Sequence, residues 1–369
     1  MNAHAALGPV LRHRRGLSRS RAALAGGKLR LGFIGGSITA PKTGTRWPEP
    51  LAGWIGQRFP TARLVVENAA LGATGSDLGV FRVQPEIVAR ECDLVFVEYA
   101  VNDFGQPTAR RNRTREGLLR QLLAAGSDVV LVYTFCPEML PDVVAGRVPP
   151  SIAEFEALAD HYGIGSVWMG LHAWQEVGRG LMTWAEWLPD GLHPENRGSL
   201  SYAQSVMAFC EAEWGTALAA PAWMNRPALP GVLHEGCWDR VSLLPLEAAQ
   251  CDGPWSLRRW FTCLGMSQAL HTTVPGAALK IPFEGRGLML GFDFGRLASE
   301  VSYRVDGGSW QDTQRDRPAW AGDSGWFRPT VVTDSLPAAA HELELKTLAV
   351  PVPGGCGSVT TLGLIGVIH

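Results

Sequence analysis

The chain has no long apolar run: none of its stretches approaches the roughly 18 apolar residues that a membrane-spanning helix needs. It also lacks a strong charge of either sign, because 33 Lys and Arg stand against 35 Asp and Glu and leave a net charge of -2. A nucleic-acid-binding surface normally needs an excess of basic residues. We therefore expect neither a membrane nor a nucleic acid among its partners.

Paired cysteines are also missing. The seven cysteines are widely scattered, their number is odd, and none forms a Cys-x-x-Cys pair. This pattern argues against a disulfide framework and against a zinc site, and it fits a reducing compartment.

Acidic residues are absent before Glu49, and the N-terminal stretch has no apolar core typical of a signal peptide. Its basic residues could belong to a transit peptide or to a nucleic-acid-binding tail; they are Arg12, Arg14, Arg15, Arg19 and Arg21. We favour a basic extension over residues 1–28 that forms a short solvated helix beside the first strand. We accordingly predict a cytoplasmic protein.

A length of 369 residues favours two domains. Between residues 29 and 215, apolar runs alternate with helical patterns, and continuous apolar runs are typical of parallel strands covered on both faces. The predicted strands are 29–34, 63–67, 93–98, 128–134 and 164–168. The predicted helices are 47–59, 76–90 with Ser76 as its cap and an interruption near Pro85, 114–125, 151–162 and 196–214. These elements predict an α/β domain with a parallel sheet.

The composition changes after residue 215. Residues 216–240 contain three prolines and little periodicity, which predicts a linker. Residues 241–369 alternate apolar and polar positions between turn signals, and Asp306-Gly307-Gly308 is a good hairpin turn. We expect a β-sandwich here, with a jelly roll as one form of it.

A Gly-Gly-Ser sequence follows the first predicted strand. Leu29–Ile34 leads into Gly35, Gly36 and Ser37, followed by Ile38 and Thr39. Sites in open α/β sheets gather at the carboxyl ends of the strands, and glycines there allow a sharp turn and a close approach. The sequence predicts a serine hydroxyl at that edge, although Gly-Gly-Ser is also ordinary loop chemistry.

Three later blocks follow in order along the chain. NAALGATGS begins at Asn68, LVFVEYAVND ends in Asn102-Asp103, and LPDGLHP carries Asp190 and His193 three residues apart. Each block alone has an ordinary interpretation, such as a turn, a helix cap or a loop histidine. Four blocks in this order would need four independent coincidences.

The quartet of Ser, Gly, Asn and Asp-x-x-His resembles the SGNH/GDSL hydrolase family, in its branch with a GGSIT-type first block. The resemblance covers roughly residues 29–210 and implies a three-layer α/β/α fold. One departure is Ala100 in AVND, where the family often has Gly. The fusion to a β-sandwich is similar to the layout of several carbohydrate esterases.

Acyl transfer needs a nucleophile, a base, a group that orients the base and donors for the oxyanion. The resemblance implies that Ser37, His193 and Asp190 fill the first three roles. It implies an oxyanion hole from the backbone N–H groups of Ser37 and Gly72 and the amide of Asn102. Gly75 is an alternative to Gly72. No metal or organic cofactor is implied.

The motif chemistry specifies acyl transfer without naming the substrate. Trp47, Trp184 and Trp187 lie close to the motifs in sequence and could stack on sugar rings, although large aromatics are also common core residues. We expect a serine esterase that removes short acyl groups, acetyl first among them, from a small sugar or oligosaccharide, in a chain that could form a homo-oligomer. A lysophospholipase or thioesterase, a sugar O-acyltransferase and a non-catalytic glycan-binding protein remain alternatives. Glu98 is interpreted as a structural carboxylate, with substrate contact as the alternative.

Overall fold

The computed structural model describes residues 7–41, 46–215, 228–352 and 355–369. The chain divides into two compact units, Met1–Asp239 and Arg240–His369.

The first unit alternates strands and helices. Its strands are β1 (Leu11–Arg12), β2 (Lys28–Gly35), β3 (Arg63–Asn68), β4 (Leu94–Glu98), β5 (Asp128–Val132) and β6 (Gly165–Val167). Its helices are α1 (Ser18–Ala25), α2 (Pro48–Arg58), α3 (Ser76–Val83), α4 (Thr108–Ala124), α5 (Leu140–Val144), α6 (Pro150–Tyr162), α7 (Met169–Gly178), α8 (Trp184–Trp187) and α9 (Arg197–Gly215). A π-helical turn, Gln84–Val88, continues α3 past Pro85, where the sequence predicts an interruption.

These strands form one sheet in the order β1-β6-β5-β4-β2-β3. Every pair is parallel except β1 with β6. From β2 the chain continues to β3 on one side of the sheet, and from β4 it continues through β5 to β6 on the other side. The boundary between β2 and β4 is therefore the topological switch point. Ligand sites of open α/β sheets lie beyond the carboxyl ends of strands at such a point.

The continuous apolar runs explain the layering. All residues of β4 and β5 are buried, as expected for central strands covered on both faces. Helix α4 contacts both α3 and α6, whereas α9 contacts both α2 and α7, so these helices form two groups. The predicted α/β/α domain with a parallel sheet is confirmed.

The N-terminal segment differs from the expectation of a helical extension. Leu11–Arg12 adds an antiparallel edge strand to β6, and only Ser18–Ala25 is helical. Three of its arginines form ion pairs with the domain: Arg12 and Arg14 pair with Glu156, the latter at 2.7 Å, and Arg19 pairs with Asp93. The expected cap at Ser76 is wrong, because Ser76 is the first residue of α3 and its hydroxyl bonds Thr114 Oγ1 instead.

The predicted linker lies partly outside the described residues, since residues 216–227 are not among them. The part that is described, 228–239, packs on α4. The buried carboxylate of Glu116 accepts from the backbone N–H groups of Leu233 and His234, and buried Trp238 packs edge-on to Phe81. The backbone of Trp238 fits only because residue 117 is glycine, where a Cβ would lie 2.4 Å from the Trp238 carbonyl. These residues are therefore part of the first unit.

The second unit is built from antiparallel strands. They are β7 (Val241–Leu244), β8 (Gln250–Asp252), β9 (Ser256–Arg259), β10 (Gln268–Thr272), β11 (Ala278–Gly285), β12 (Gly287–Phe294), β13 (Glu300–Val305), β14 (Gln311–Asp312), β15 (Trp326–Thr333), β16 (Ala339–Leu348), β17 (Val350–Val352), β18 (Gly355–Gly357) and β19 (Thr360–Ile368). One sheet runs β15-β12-β19-β10-β9 with β7 paired to β19, and a second runs β14-β13-β16-β11-β8.

The sandwich core follows from alternation along the strands. Leu279, Ile281 and Phe283 on β11 are buried at every second position and join one cluster with Leu290 and Phe292 of β12. The hairpin prediction is confirmed, since β13 pairs with β14 and Asp306 and Gly307 both have positive φ, 52° and 69°. Two positive φ values are what a type I′ turn requires. The predicted all-β sandwich is confirmed.

Candidate active site

The turn after β2 carries Ser37 at the switch point of the sheet. Gly36 precedes it, and a Cβ there would lie 1.7 Å from Asn102 Oδ1, so the amide after β4 packs directly on the Gly36 backbone. A Cβ at Gly72, after β3, would lie 3.6 Å from Ser37 Cβ. Three strand ends therefore bring the Ser, Gly and Asn blocks together.

The loop before α9 brings a histidine to this serine. Ser37 Oγ lies 2.8 Å from His193 Nε2, and His193 Nδ1 lies 2.7 Å from Asp190 Oδ2. The serine and the histidine are 156 residues apart in the chain. The result is a continuous hydrogen-bonded chain from hydroxyl to imidazole to carboxylate.

Asp190 also shapes the loop that holds the histidine. Its Oδ1 accepts from the backbone N–H groups of Leu192 at 2.9 Å and of His193 at 2.7 Å. Gly191 between them has a φ of 84°, which favours glycine. Desolvation raises the pKa of Asp190, but these N–H donors and the imidazole outweigh it and lower the pKa to about 2. The carboxyl is therefore ionised at neutral pH.

The next residue of the loop, Pro194, is held from two sides. The buried guanidinium of Arg46 donates to the Pro194 carbonyl at 2.6 Å, and the Ser199 hydroxyl donates to the same oxygen at 3.1 Å. Arg46 thus connects the chain that follows Ser37 to the chain that follows His193. Sequence analysis did not single out this arginine, and its type alone carries no signal of that role.

A fully buried carboxylate lies under the serine turn. Glu98 ends β4, and it accepts from the backbone N–H of Gly36 at 3.3 Å and from the hydroxyls of Thr39 at 3.2 Å and Thr134 at 2.8 Å. Desolvation raises its pKa to about 7, against the opposing effect of these three donors. The interpretation of Glu98 as a buried carboxylate agrees with its complete burial.

The residue after Asn102 belongs to a buried ion pair. Asp103 Oδ2 accepts from Arg115 Nε at 2.8 Å, and neither side chain is exposed to solvent. Asp103 Oδ1 accepts from the backbone N–H of Ser76 at 2.8 Å, which ties the Gly block to the Asn block. Arg115 also donates to the carbonyl and the hydroxyl of Ser151. The sequence showed the Asn102-Asp103 pair, but nothing in it indicated that Arg115, twelve residues later, is the ion-pair partner of Asp103.

Two of the three tryptophans expected to contact substrate are core residues. Trp47 is fully buried between Phe33 and Phe96, and its Nε1 donates to Thr39 Oγ1 at 3.0 Å. Trp187 is also fully buried. Neither ring has a free face for a sugar in this structure, so sequence proximity to the motifs was misleading for both.

Trp184 alone of the three is partly exposed. Its ring packs edge-on against Phe135 and Trp187, with centroid distances of 5.6 and 5.0 Å. The short helix α8 that carries it begins with a capping box, in which Thr183 and Glu186 bond each other's backbone N–H. The ring is therefore held firmly, six positions before Asp190.

The described ranges also bear on two other kinds of feature, a metal site and a membrane span. They contain no cluster of three or more His, Cys, Asp or Glu side chains that could hold a metal ion. Within the same ranges, every helix is too short or too polar to cross a membrane.

Residues 33–199 match the GDSL-like lipase/acylhydrolase family, a range that includes Ser37, Gly72, Asn102, Asp190 and His193. The first domain is similar to this family over that range. No curated protein sequence is significantly similar to the chain.

Solved structures are similar to the chain across both domains. A two-domain esterase active on acetylated mannans, crystallised with and without mannopentaose, matches with a TM-score of 0.81 and 20% sequence identity over 96% of each chain. An acetylxylan esterase from Geobacillus stearothermophilus matches with a TM-score of 0.39 and 19% identity, covering 50% of this chain and 95% of its own. At 20% identity, the first match shows that the two-domain fold is shared.

Proposed function

We propose that this protein is a serine esterase that removes short acyl groups, acetyl above all, from a carbohydrate. The observation that carries the proposal is the hydrogen-bonded chain of Ser37, His193 and Asp190 at the switch point of a GDSL-like domain. The match of residues 33–199 to the acylhydrolase family supports the reaction type. The shared fold with an esterase active on acetylated mannans supports the choice of substrate class.

The proposed reaction starts with a neutral imidazole whose Nδ1–H donates to ionised Asp190. Ser37 Oγ attacks the ester carbonyl carbon, and His193 Nε2 takes the hydroxyl proton. The backbone N–H groups of Ser37 and Gly72 and the side-chain amide of Asn102 donate to the oxyanion that forms. The tetrahedral intermediate then collapses, the bond to the sugar oxygen breaks, and His193 returns its proton to the leaving hydroxyl.

Deacylation repeats these steps with water. His193 takes a proton from water, the hydroxide attacks the acyl carbon, and the bond to Ser37 Oγ breaks as the serine regains its proton. Asp190 stays ionised throughout and stabilises the imidazolium. The partly exposed face of Trp184 is the proposed stacking surface for a sugar ring.

Hydrolysis of p-nitrophenyl acetate, butyrate and octanoate by the wild type and Ser37→Ala tests the reaction type. We expect turnover of acetate that falls with chain length and decreases at least about 10⁴-fold in the variant. Ser324→Ala is the matched control, because this serine is exposed in the second domain. Acetylated manno- and xylo-oligosaccharides are then tested as substrates.

Each alternative gives a different result in this assay. Preference for octanoate would favour a lysophospholipase or thioesterase. Acylated product on an added acceptor sugar, in excess over free acid, would favour an acyltransferase. Equal rates for the wild type and Ser37→Ala would refute the serine mechanism and favour a glycan-binding protein.

A further inference from the structure

Glu98 contacts the serine turn on both sides of the nucleophile. One of its oxygens, Oε2, accepts from the Gly36 backbone N–H and from the Thr39 hydroxyl, which flank Ser37 in sequence. The other oxygen, Oε1, accepts from Thr134, just after β5. The carboxylate therefore joins the ends of three neighbouring central strands beneath Ser37.

The packing around the serine turn holds it against Glu98. A Cβ at Gly35 would lie 2.5 Å from the Glu98 carbonyl oxygen and 2.9 Å from Glu98 Cβ, so the two strand ends are in close contact. Thr39 also accepts from Trp47 Nε1, and its carbonyl accepts from Asn68 Nδ2 at 2.9 Å. Thr39 is thus fixed by three elements, and Glu98 is its link to the central strand.

We propose that Glu98 is a positioning residue that holds Ser37 at attacking distance by clamping the turn at Gly36 and Thr39. The proposal rests on the proposed function, because it concerns the same serine. Glu98 touches neither the ester nor the imidazole, and it acts through the backbone that carries the nucleophile. A misplacement of about 1 Å in an active site can cost on the order of 100-fold in rate.

The donor pattern decides where a proton can reside on Glu98. The Gly36 N–H can only donate, so Oε2 must remain an acceptor in either protonation state. A proton therefore belongs on Oε1, where the Thr134 hydroxyl can turn to accept it. The clamp at Gly36 and Thr39 survives protonation, and a glutamine with its amide oxygen at the Oε2 position keeps the same two bonds.

Ionisation of Glu98 places a negative charge beneath the turn that carries the Ser37 N–H, a proposed oxyanion donor. Like charges oppose each other in a poorly solvated site, so the ionised form disfavours formation of the oxyanion. The titratable groups that interact electrostatically with Glu98 are Asp103 in the loop after β4, the adjacent Tyr99 and Tyr202 on α9. Glutamine at position 98 cannot acquire this charge.

The experiment compares Glu98→Ala, Glu98→Gln and the wild type as full-length chains. Two rates are measured: the second-order rate of Ser37 modification by a fluorophosphonate, and kcat and KM for p-nitrophenyl acetate between pH 5.5 and 9. Val95→Ala is the matched control, because Val95 is fully buried in the same strand and lies three residues from Glu98. It lowers stability without touching the serine turn.

We expect Glu98→Ala to lose on the order of 100-fold in Ser37 modification and in kcat, with a much smaller change in KM. Glu98→Gln should stay within about threefold of the wild type below pH 6, because it mimics the protonated carboxyl and keeps the clamp. The ratio of kcat for Glu98→Gln to that of the wild type should rise as pH passes through 7, since only the wild type becomes charged. Val95→Ala should retain the wild-type modification rate.

Other results overturn the proposal in distinguishable ways. If Glu98→Ala reacts like Val95→Ala, Glu98 does not position the serine, and the proposed function stands. If Glu98→Gln is as impaired as Glu98→Ala, the hydrogen bonds to Gly36 and Thr39 that glutamine retains do not position Ser37. If the wild type itself shows no Ser37-dependent reaction, the proposed function and the clamp both fail.

Discussion

Replacement of Arg115 by methionine tests the ion pair that lies behind the oxyanion residues. Arg115 on α4 donates to Asp103 and Ser151, and its guanidinium lies 4.0 Å from the centre of the Phe155 ring. Burial lowers the pKa of Arg115, and the charge of Asp103 partly restores it. Methionine fills much of the same volume but removes the charge and the donors.

The expected cost follows from complete burial. Both side chains are 0% exposed, so Arg115→Met leaves the Asp103 carboxylate without its counter-ion in a poorly solvated site. Breaking a buried pair from one side costs about 3–5 kcal/mol. The backbone N–H of Ser76 still donates to Asp103, which favours the lower half of this range. We also expect a lower kcat, because Asp103 directly follows Asn102.

Hydrogen exchange measured by mass spectrometry is the suitable assay, because peptides from the first domain report its opening free energy separately from the sandwich. Arg120→Met is the matched control on the same helix. Its ion pair with Asp239 is partly exposed, with side-chain exposures of 18% and 28%, and its loss should cost about 1 kcal/mol.

A second substitution distinguishes lost charge pairing from lost packing. Asp103→Asn, added to Arg115→Met, removes the unpaired buried charge and keeps an oxygen that accepts from the Ser76 N–H. This double variant should be more stable than Arg115→Met alone. A loss below about 1 kcal/mol in Arg115→Met, or no recovery in the double variant, would refute the reasoning, since a broken buried pair costs more than that.

Two further predictions concern the catalytic loop and the substrate surface. Asp190→Asn keeps an oxygen that accepts from the loop N–H groups but turns an amide N–H toward His193, which favours the wrong imidazole tautomer. We expect kcat to fall up to about 10⁴-fold with little loss of stability. An unchanged kcat would show that Asp190 has no role in the mechanism. Trp184→Ala should raise KM for an acetylated oligosaccharide and leave p-nitrophenyl acetate unaffected, with Trp184→Phe as the aromatic control. Equal KM values for the oligosaccharide in all three proteins would exclude stacking on Trp184.

The meeting of the motif blocks could be predicted because of a simple geometric property. Parallel strands all end at the same edge of a sheet, so recognising the strands already placed Ser37, Gly72 and Asn102 at one edge. That the three are neighbours follows from the strand order β4-β2-β3, which no local sequence pattern encodes. His193 and Asp190 belong to one loop, and their spacing already implied a local pair. The long-range contact between Ser37 and His193 depended on the family resemblance, because no local pattern encodes it.

The failures share a different cause. Burial of Trp47 depends on Phe33 and Phe96, which approach it only in the folded domain, and a tryptophan in sequence looks the same on a rim and in a core. The two-residue strand Leu11–Arg12 is too short to show any periodicity. Ser76 was predicted from its residue type to cap a helix, but its hydroxyl is hydrogen-bonded to Thr114 on the next helix.

The packing of residues 228–239 on α4 decides where this chain can be divided. A fragment cut at the end of α9, Gly215, would look complete from the family match, yet it would expose the pocket that Trp238 fills beside Phe81. It would also leave the buried Glu116 carboxylate without two of its backbone donors. Anyone isolating the α/β domain for screening or for fusion to a different domain should therefore keep the chain to Asp239.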